Sequence, residues 1–178
     1  MRTEKVIVEK YNKNWKIEFE KIKQELLETL GDLVIGIEHF GSTAVEGMSA
    51  KPIIDTDIII KNYDSFSQVV KKLSKMGYIH EGNLGIKDRE AFSYENKPEY
   101  MVHHLYVYPQ DSKELQRHIS VRDYLRTYPV AMRKYSKIKE EAVNLFPNDI
   151  DKYIQYKSGF IEEIYAAIGL DEDKHKSV

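Results

Sequence analysis

The chain has 178 residues, no cysteine and a net charge of -2, with acids and bases nearly balanced. This excludes a disulfide framework and thiol chemistry, and it argues against extended nucleic-acid binding, which would need a basic excess. The N-terminal stretch lacks a signal-peptide core and no apolar run approaches the ~20 residues of a membrane span, so a cytoplasmic protein is expected. One domain is expected over residues 1–170, followed by a charged, frayed tail at 171–178.

Residues 5–9, Lys-Val-Ile-Val-Glu, read as a short edge strand or an extended arm. Trp15, Phe19, Ile22, Leu26 and Leu30 recur at steps of three and four, which predicts a helix from Asn14 to Leu30 closed by Gly31. An apolar strand then runs from Val34 to Phe40 and stops at Gly41-Ser42. After a short helical or irregular segment to Ala50, Lys51-Pro52 leads into a second strand, Ile53-Ile54-Asp55-Thr56-Asp57-Ile58-Ile59-Ile60. A helix is expected over residues 64–76, with Phe66, Val69, Val70, Leu73 and Met76 inward. Residues 89–94 and 101–108 read as two antiparallel strands joined by a turn at 96–99. The remainder is helical. Asp111 with Glu114 approximates a capping box, Pro129 opens the next helix, and the last runs from about Asn148 or Asp149 to Ile168. The expected stripes are Ala131, Tyr135, Ile138, Ala142 and Leu145 in the first of these two. In the last they are Ile150, Ile154, Lys157, Ile161, Ile164 and Ile168.

The second strand carries the chemistry. Side chains alternate along a strand, so Asp55 and Asp57 face the same way, their backbones roughly 7 Å apart. Two bare carboxylates at that separation repel by roughly 2 kcal/mol at an effective dielectric near 20, and an apolar strand adds a desolvation cost. A divalent cation removes both penalties, and Mg²⁺ is usually held by one or two carboxylates plus substrate phosphates. The alternative is a half-buried edge strand whose aspartates face water. Upstream, Gly41 lets a phosphate approach the backbone. Ser42 and Thr43 begin what reads as a strand-to-helix turn, with unpaired N–H groups that favour an anion.

Two cations occupy apolar stripe positions. Lys157 interrupts the isoleucines of the last helix, and Arg122 follows Leu115 and Ile119 with His118 beside it. Either their stems pack while the charged heads reach water, or both point into one pocket and take anionic phosphates as partners. Asp123 is either a surface group or an orienter of arginine. Lys51 and Arg89 are further phosphate-contact candidates. On the strand at 101–108, Met101, His103, Leu105 and Val107 share the apolar face, which turns His104 and Tyr106 toward a site. His104 is a candidate general base, a ligand for a metal softer than Mg²⁺, or a structural residue.

Apolar-Gly-Ser followed by apolar-Asp-x-Asp resembles the signature of the nucleotidyltransferase (polymerase beta-like) superfamily. The fuller string GSTAVEGMSAKPIIDTDI at 41–58 closely resembles the GrpB family (UPF0157), as do HHLYVY at 103–108, VRDYLRTYP at 121–129 and YIQYKSGFIEEI at 153–164. The resemblance implies an α+β fold: a nucleotidyltransferase-like mixed β-sheet packed by helices on one side, with a C-terminal helical part. It also implies nucleotide binding, with Mg²⁺ or Mn²⁺ at Asp55 and Asp57 and an NTP as substrate for transfer to an unknown small-molecule or protein acceptor. The same pattern admits a nucleotide- or partner-binding module without turnover, or a metal-dependent phosphohydrolase. Two departures stand out. Glu46 replaces the family's proline. On the strand where active members of the superfamily carry a third carboxylate, this chain has His104 and Tyr106, the tyrosine in place of the GrpB family's second histidine. His39 matches the family's E-H-x-G-S-T string and is expected to bond the loop.

Overall fold

Trp15, Phe19, Ile22, Leu26 and Leu30 all bury one face of α1 (Asn14–Leu30), as their spacing requires. Gly31 ends it at φ 53°, its N–H closing on the Leu27 carbonyl. This computed structural model describes residues 5–170; the tail expected at 171–178 lies outside them. The elements that follow are β1 (Gly36–Phe40), β2 (Ile54–Ile60), α2 (Phe66–Lys75), β3 (Ile79–Gly82), β4 (Glu90–Ser93) and β5 (His103–Pro109). Three helices complete the described residues: α3 (Lys113–Thr127), α4 (Pro129–Leu145) and α5 (Ile150–Ala167).

The strands form one mixed sheet in the order β1-β2-β5-β4-β3. β2 is central, antiparallel to β1 and parallel to β5, while β4 runs antiparallel to β5 and β3. Alternation splits β2 cleanly. Ile54, Ile58 and Ile60 join Leu105 and Val107 in the core beneath α1 and α2, where Val69 and Leu73 complete the packing. Asp55, Asp57 and Ile59 take the opposite face. There α3 lays Leu115 and Ile119 on Phe40, Tyr108 and Ile59, and α4 and α5 extend the helical part beyond it.

Several local expectations shift. The cap of α3 is Ser112, not Asp111: its hydroxyl accepts the Leu115 N–H at 3.2 Å, and it has the extended backbone a cap needs. Glu114 consequently turns to Arg117 and His118. α4 buries Tyr135, Ser136, Lys139 and Ala142, with Ala131 and Ile138 partly buried beside them, and leaves Leu145 of the expected stripe exposed. α5 likewise buries Tyr153, Phe160 and Ile164 and exposes Ile154, because its inner face meets a cavity as well as apolar neighbours. Residues 5–9 form an arm with a single bridge, Glu9 to Ala50. Val6 anchors this arm by burying itself against Ala142 and Tyr153 and donating its N–H to the Pro147 carbonyl. No helix among the described residues is long and apolar enough to cross a membrane.

Candidate functional site

A cavity of about 440 Å³ opens between the acidic face of β2 and the helices α3, α4 and α5, and every site residue singled out from the sequence lines it. Its rim begins where β1 ends. Gly41 has φ 70°, and a Cβ there would stand 2.1 Å from Asp55 Oδ2, so both backbone conformation and close approach demand glycine. The segment after it is shorter than expected: a single 3₁₀ turn, Ser42–Ala44, with no side-chain cap, followed by irregular chain. Ser42 therefore lines the cavity without capping a helix. Thr43 is committed to the turn, donating to the Ile53 carbonyl and accepting from His39 Nε2 at 2.9 Å. His39 is itself buried and stacked on Phe19 with ring centroids 4.5 Å apart. Burial pushes its imidazole down to about 4, which leaves it neutral and structural.

The strand register places Asp55 opposite His104 and Asp57 opposite Tyr106. His104 Nδ1 lies 2.9 Å from Asp55 Oδ1; a carboxylate there makes Nδ1 the donor and leaves Nε2 as the acceptor. Asp57 is fully buried and meets His118 Nδ1 at 2.8 Å through Oδ2. Its Oδ1 is buried with no partner. Burial raises the Asp57 carboxyl to about 6, and the adjacent imidazole opposes that shift. Burial alone would lower His118, but hydrogen bonds and charge from Asp57 and Glu114 raise it to about 10, so an imidazolium sits between two carboxylates. His118 was absent from the expected site. The available signal was its position one turn before Arg122.

The two unexpected cations behave differently. Arg122 lines the cavity, yet its guanidinium is occupied: Glu38 lies at 2.7 Å, Asp123 at 2.9 Å and the His39 carbonyl at 3.3 Å, with the Phe40 ring beneath it. It is a strut joining β1 to α3, and Asp123 orients it. Lys157 does point inward, over the face of Tyr153, and Lys51 shares that ring. Burial lowers Lys157 to about 8, with the Lys51 charge adding and Asp55 opposing. A third lysine joins them. Lys139 on α4 is 1% exposed, sits 4.4 Å from the Tyr135 ring centroid and has no hydrogen-bond partner among the described residues. Burial, helped by the charge of Lys157, pushes it well below the ordinary lysine range. Sequence could have found it by the test applied to Lys157, because Tyr135 and Ala142 flank Lys139 on the same stripe. Arg89 stacks over Tyr106 at 4.8 Å.

Among the described residues no three His, Cys, Asp or Glu side chains group into a self-sufficient metal cage. The donor set fits a different kind of site. Two same-facing carboxylates, one with a buried unpaired oxygen, suit a divalent cation whose shell is completed by a ligand's phosphate oxygens.

A family model described as GrpB protein matches residues 5–167. The chain is 34% identical over 158 residues to the UPF0157 protein YqkA of Bacillus subtilis, a match that covers 89% of this chain but 46% of that protein. It is also 34% identical over 165 residues to the glutamate-rich protein GrpB of Alkalihalophilus pseudofirmus, covering 89% of this chain and 93% of the relative. The crystal structure of GrpB from Enterococcus faecalis superposes with a TM-score of 0.77 at 28% identity, over 92% of this chain and 99% of that one. The Cid1 poly(U) polymerase, in a structure bound to MgGTP, shares the fold at TM-score 0.53 and 9% identity, over 76% of this chain and 44% of its own.

Proposed function

The chain belongs to the GrpB family, whose fold is nucleotidyltransferase-like, and on that premise we propose that it is a metal-dependent nucleotidyltransferase acting on an NTP. One observation carries the reading: Asp55 and Asp57 share a strand face with the Gly41-Ser42 turn against them, in a cavity whose far wall holds Lys51, Lys139 and Lys157. The turn takes the β- and γ-phosphates through backbone N–H groups and the Ser42 hydroxyl. The lysines neutralise their charge in place of Arg122, which is already satisfied. Asp55 Oδ2 and Asp57 Oδ1 are the oxygens left to hold Mg²⁺ or Mn²⁺, which when bound supplies charge stabilisation at the phosphates. His104, oriented by Asp55 through Nδ1, accepts the acceptor hydroxyl's proton at Nε2. The hydroxyl oxygen bonds to the α-phosphorus as the bond to the β-phosphate breaks, and pyrophosphate leaves. Positioning and electrostatics carry most of the rate.

A second reading has its own support. β5 offers His104 and Tyr106 beside the aspartates and no third acid, which favours a nucleotide-binding module without turnover. Incubation with each of the four NTPs and Mn²⁺ separates the readings: pyrophosphate release marks transfer, inorganic phosphate marks hydrolysis, and binding alone marks the module. Asp55→Asn and Asp57→Asn are each expected to abolish metal-dependent ATP binding by calorimetry while circular dichroism stays native. Unchanged Mn²⁺–ATP affinity in both variants refutes the site.

A further inference from the structure

Apart from Arg117, His118 and Arg122, which are paired with carboxylates, the cations of the cavity fall into two sets that reach the aspartates from different directions. Lys51 precedes β2, and Lys139 and Lys157 come from α4 and α5. Arg89 comes from the other direction. β4 pairs Glu90 with Val107, which puts Arg89 beyond the level of Asp57 in the strand direction and two strands away from β2. The two sets therefore approach the carboxylates from different ends, and a single triphosphate held by the turn and the lysines leaves Arg89 with only the charge of Asp57 near it, to which it makes no ion pair.

Arg89 is built for one. Its guanidinium lies over the Tyr106 ring, 4.8 Å from the centroid. Among the described residues its one hydrogen bond is a long one of 3.4 Å to the Asn83 carbonyl, and its Nε is buried without a partner. No carboxylate among the described residues forms an ion pair with it. A buried, unpaired guanidinium N–H is costly to leave unmade. A stacked, planar fork is the geometry that recognises a carboxylate or a phosphate through two parallel hydrogen bonds. Beside it, the ring of Tyr106 is 6.3 Å from that of His104. The proton acceptor and the anion anchor are thus two short steps apart, within the span of one small molecule.

We propose that Arg89, held on Tyr106, anchors the acceptor substrate, and that this acceptor is a small hydroxyl compound carrying a carboxylate or phosphate near the hydroxyl that is modified. The inference rests on the nucleotidyl-transfer reading for the word acceptor, but the anion anchor stands on its own geometry. It moves Arg89 from the nucleotide side of the cavity to the opposite side. It also assigns specificity to a feature of the β3–β4 connection, where Leu84 and Asp88 both adopt positive φ to turn the chain toward the site.

The test titrates the whole protein by calorimetry with three probes that share a hydroxylated carbon frame: glycerate, glycerol 3-phosphate and glycerol. Mn²⁺–ATP is titrated separately. Glycerate or glycerol 3-phosphate is expected to bind and glycerol not to, and the stronger of the two names the preferred anion. Arg89→Ala is expected to weaken anion binding at least about tenfold while Mn²⁺–ATP affinity stays within about twofold; Arg89→Lys, which keeps charge without the fork, falls between. Indifference of all three probes to Arg89→Ala overturns the anchor, even where Mn²⁺–ATP binds. Parallel loss of ATP and anion binding also overturns it, by returning Arg89 to the nucleotide. Arg89-dependent anion binding in a protein that does not bind Mn²⁺–ATP supports the anchor and refutes nucleotidyl transfer, so the two failures are distinct.

Discussion

Lys139 holds its amino group against the face of Tyr135, 1% exposed and, among the described residues, without a hydrogen-bond partner. Removing one such group in favour of an apolar side chain of similar volume typically stabilises a protein. Lys139→Met is therefore expected to raise the unfolding free energy by about 1–3 kcal/mol and to weaken Mn²⁺–ATP binding at least about tenfold, a trade between stability and function. Urea unfolding beside calorimetry checks both halves. A destabilised variant with intact affinity would make the lysine a structural group. Residues of this kind divide sharply in how far sequence exposes them. Asp55, Asp57 and Lys157 break a pattern that is visible locally, and so does Lys139 once Tyr135 and Ala142 are taken as its stripe. His118 breaks no pattern. Its meaning comes from Asp57, 61 positions away in the chain, and only the packing of α3 on the sheet brings them together.

His39 joins three elements: it stands next to last in β1, bonds the turn through Thr43 and stacks on Phe19 of α1. Its imidazole titrates near 6.5 when unfolded and is pushed down to about 4 by burial. Above pH 6.5 it is neutral in both states. As pH falls from 6.5 toward 4 the unfolded chain takes up a proton that the folded chain refuses, so stability falls with it. The loss from this group is about 2 kcal/mol between pH 7 and pH 5. Denaturant unfolding at the two pH values is expected to show that limb in the wild type and not in His39→Gln, which keeps a donor for Thr43. An equal acid loss in both proteins would assign it to other groups. Elements whose ends carry their own chemistry were legible in the sequence, as at Gly31 and Pro129. The start of α3 was not, because Asp111 and Ser112 both offer a cap and the backbone chose the second. The inner faces of α4 and α5 were largely legible from spacing, Lys157 included; Leu145 and Ile154 stay exposed, and Lys139 was passed over because inward was taken to mean apolar on α4, which lines a polar cavity.

The molecule as a whole is sewn together by its first described residues. The strings at 41–58 and 103–108 were enough to announce the α+β sheet, because alternation and the paired aspartates are local. The course of residues 5–9 was not legible, since Val6 finds Ala142 and Tyr153 only after α4 and α5 have folded. Val6→Ala is expected to cost about 1–2 kcal/mol in unfolding free energy. It is also expected to weaken Mn²⁺–ATP binding by roughly threefold, because Tyr153 is the ring beneath Lys51 and Lys157. Stability loss with unaltered affinity would uncouple the arm from the cavity. That shared ring sets a sequence of events in biosynthesis. β1, β2 and β5 can pair while the ribosome is still holding the last helix, but the lysine wall needs residues 153 and 157. A growing chain thus carries Asp55 and Asp57 well before Lys157 closes over them, and the binding chamber comes into being only once α5 has packed.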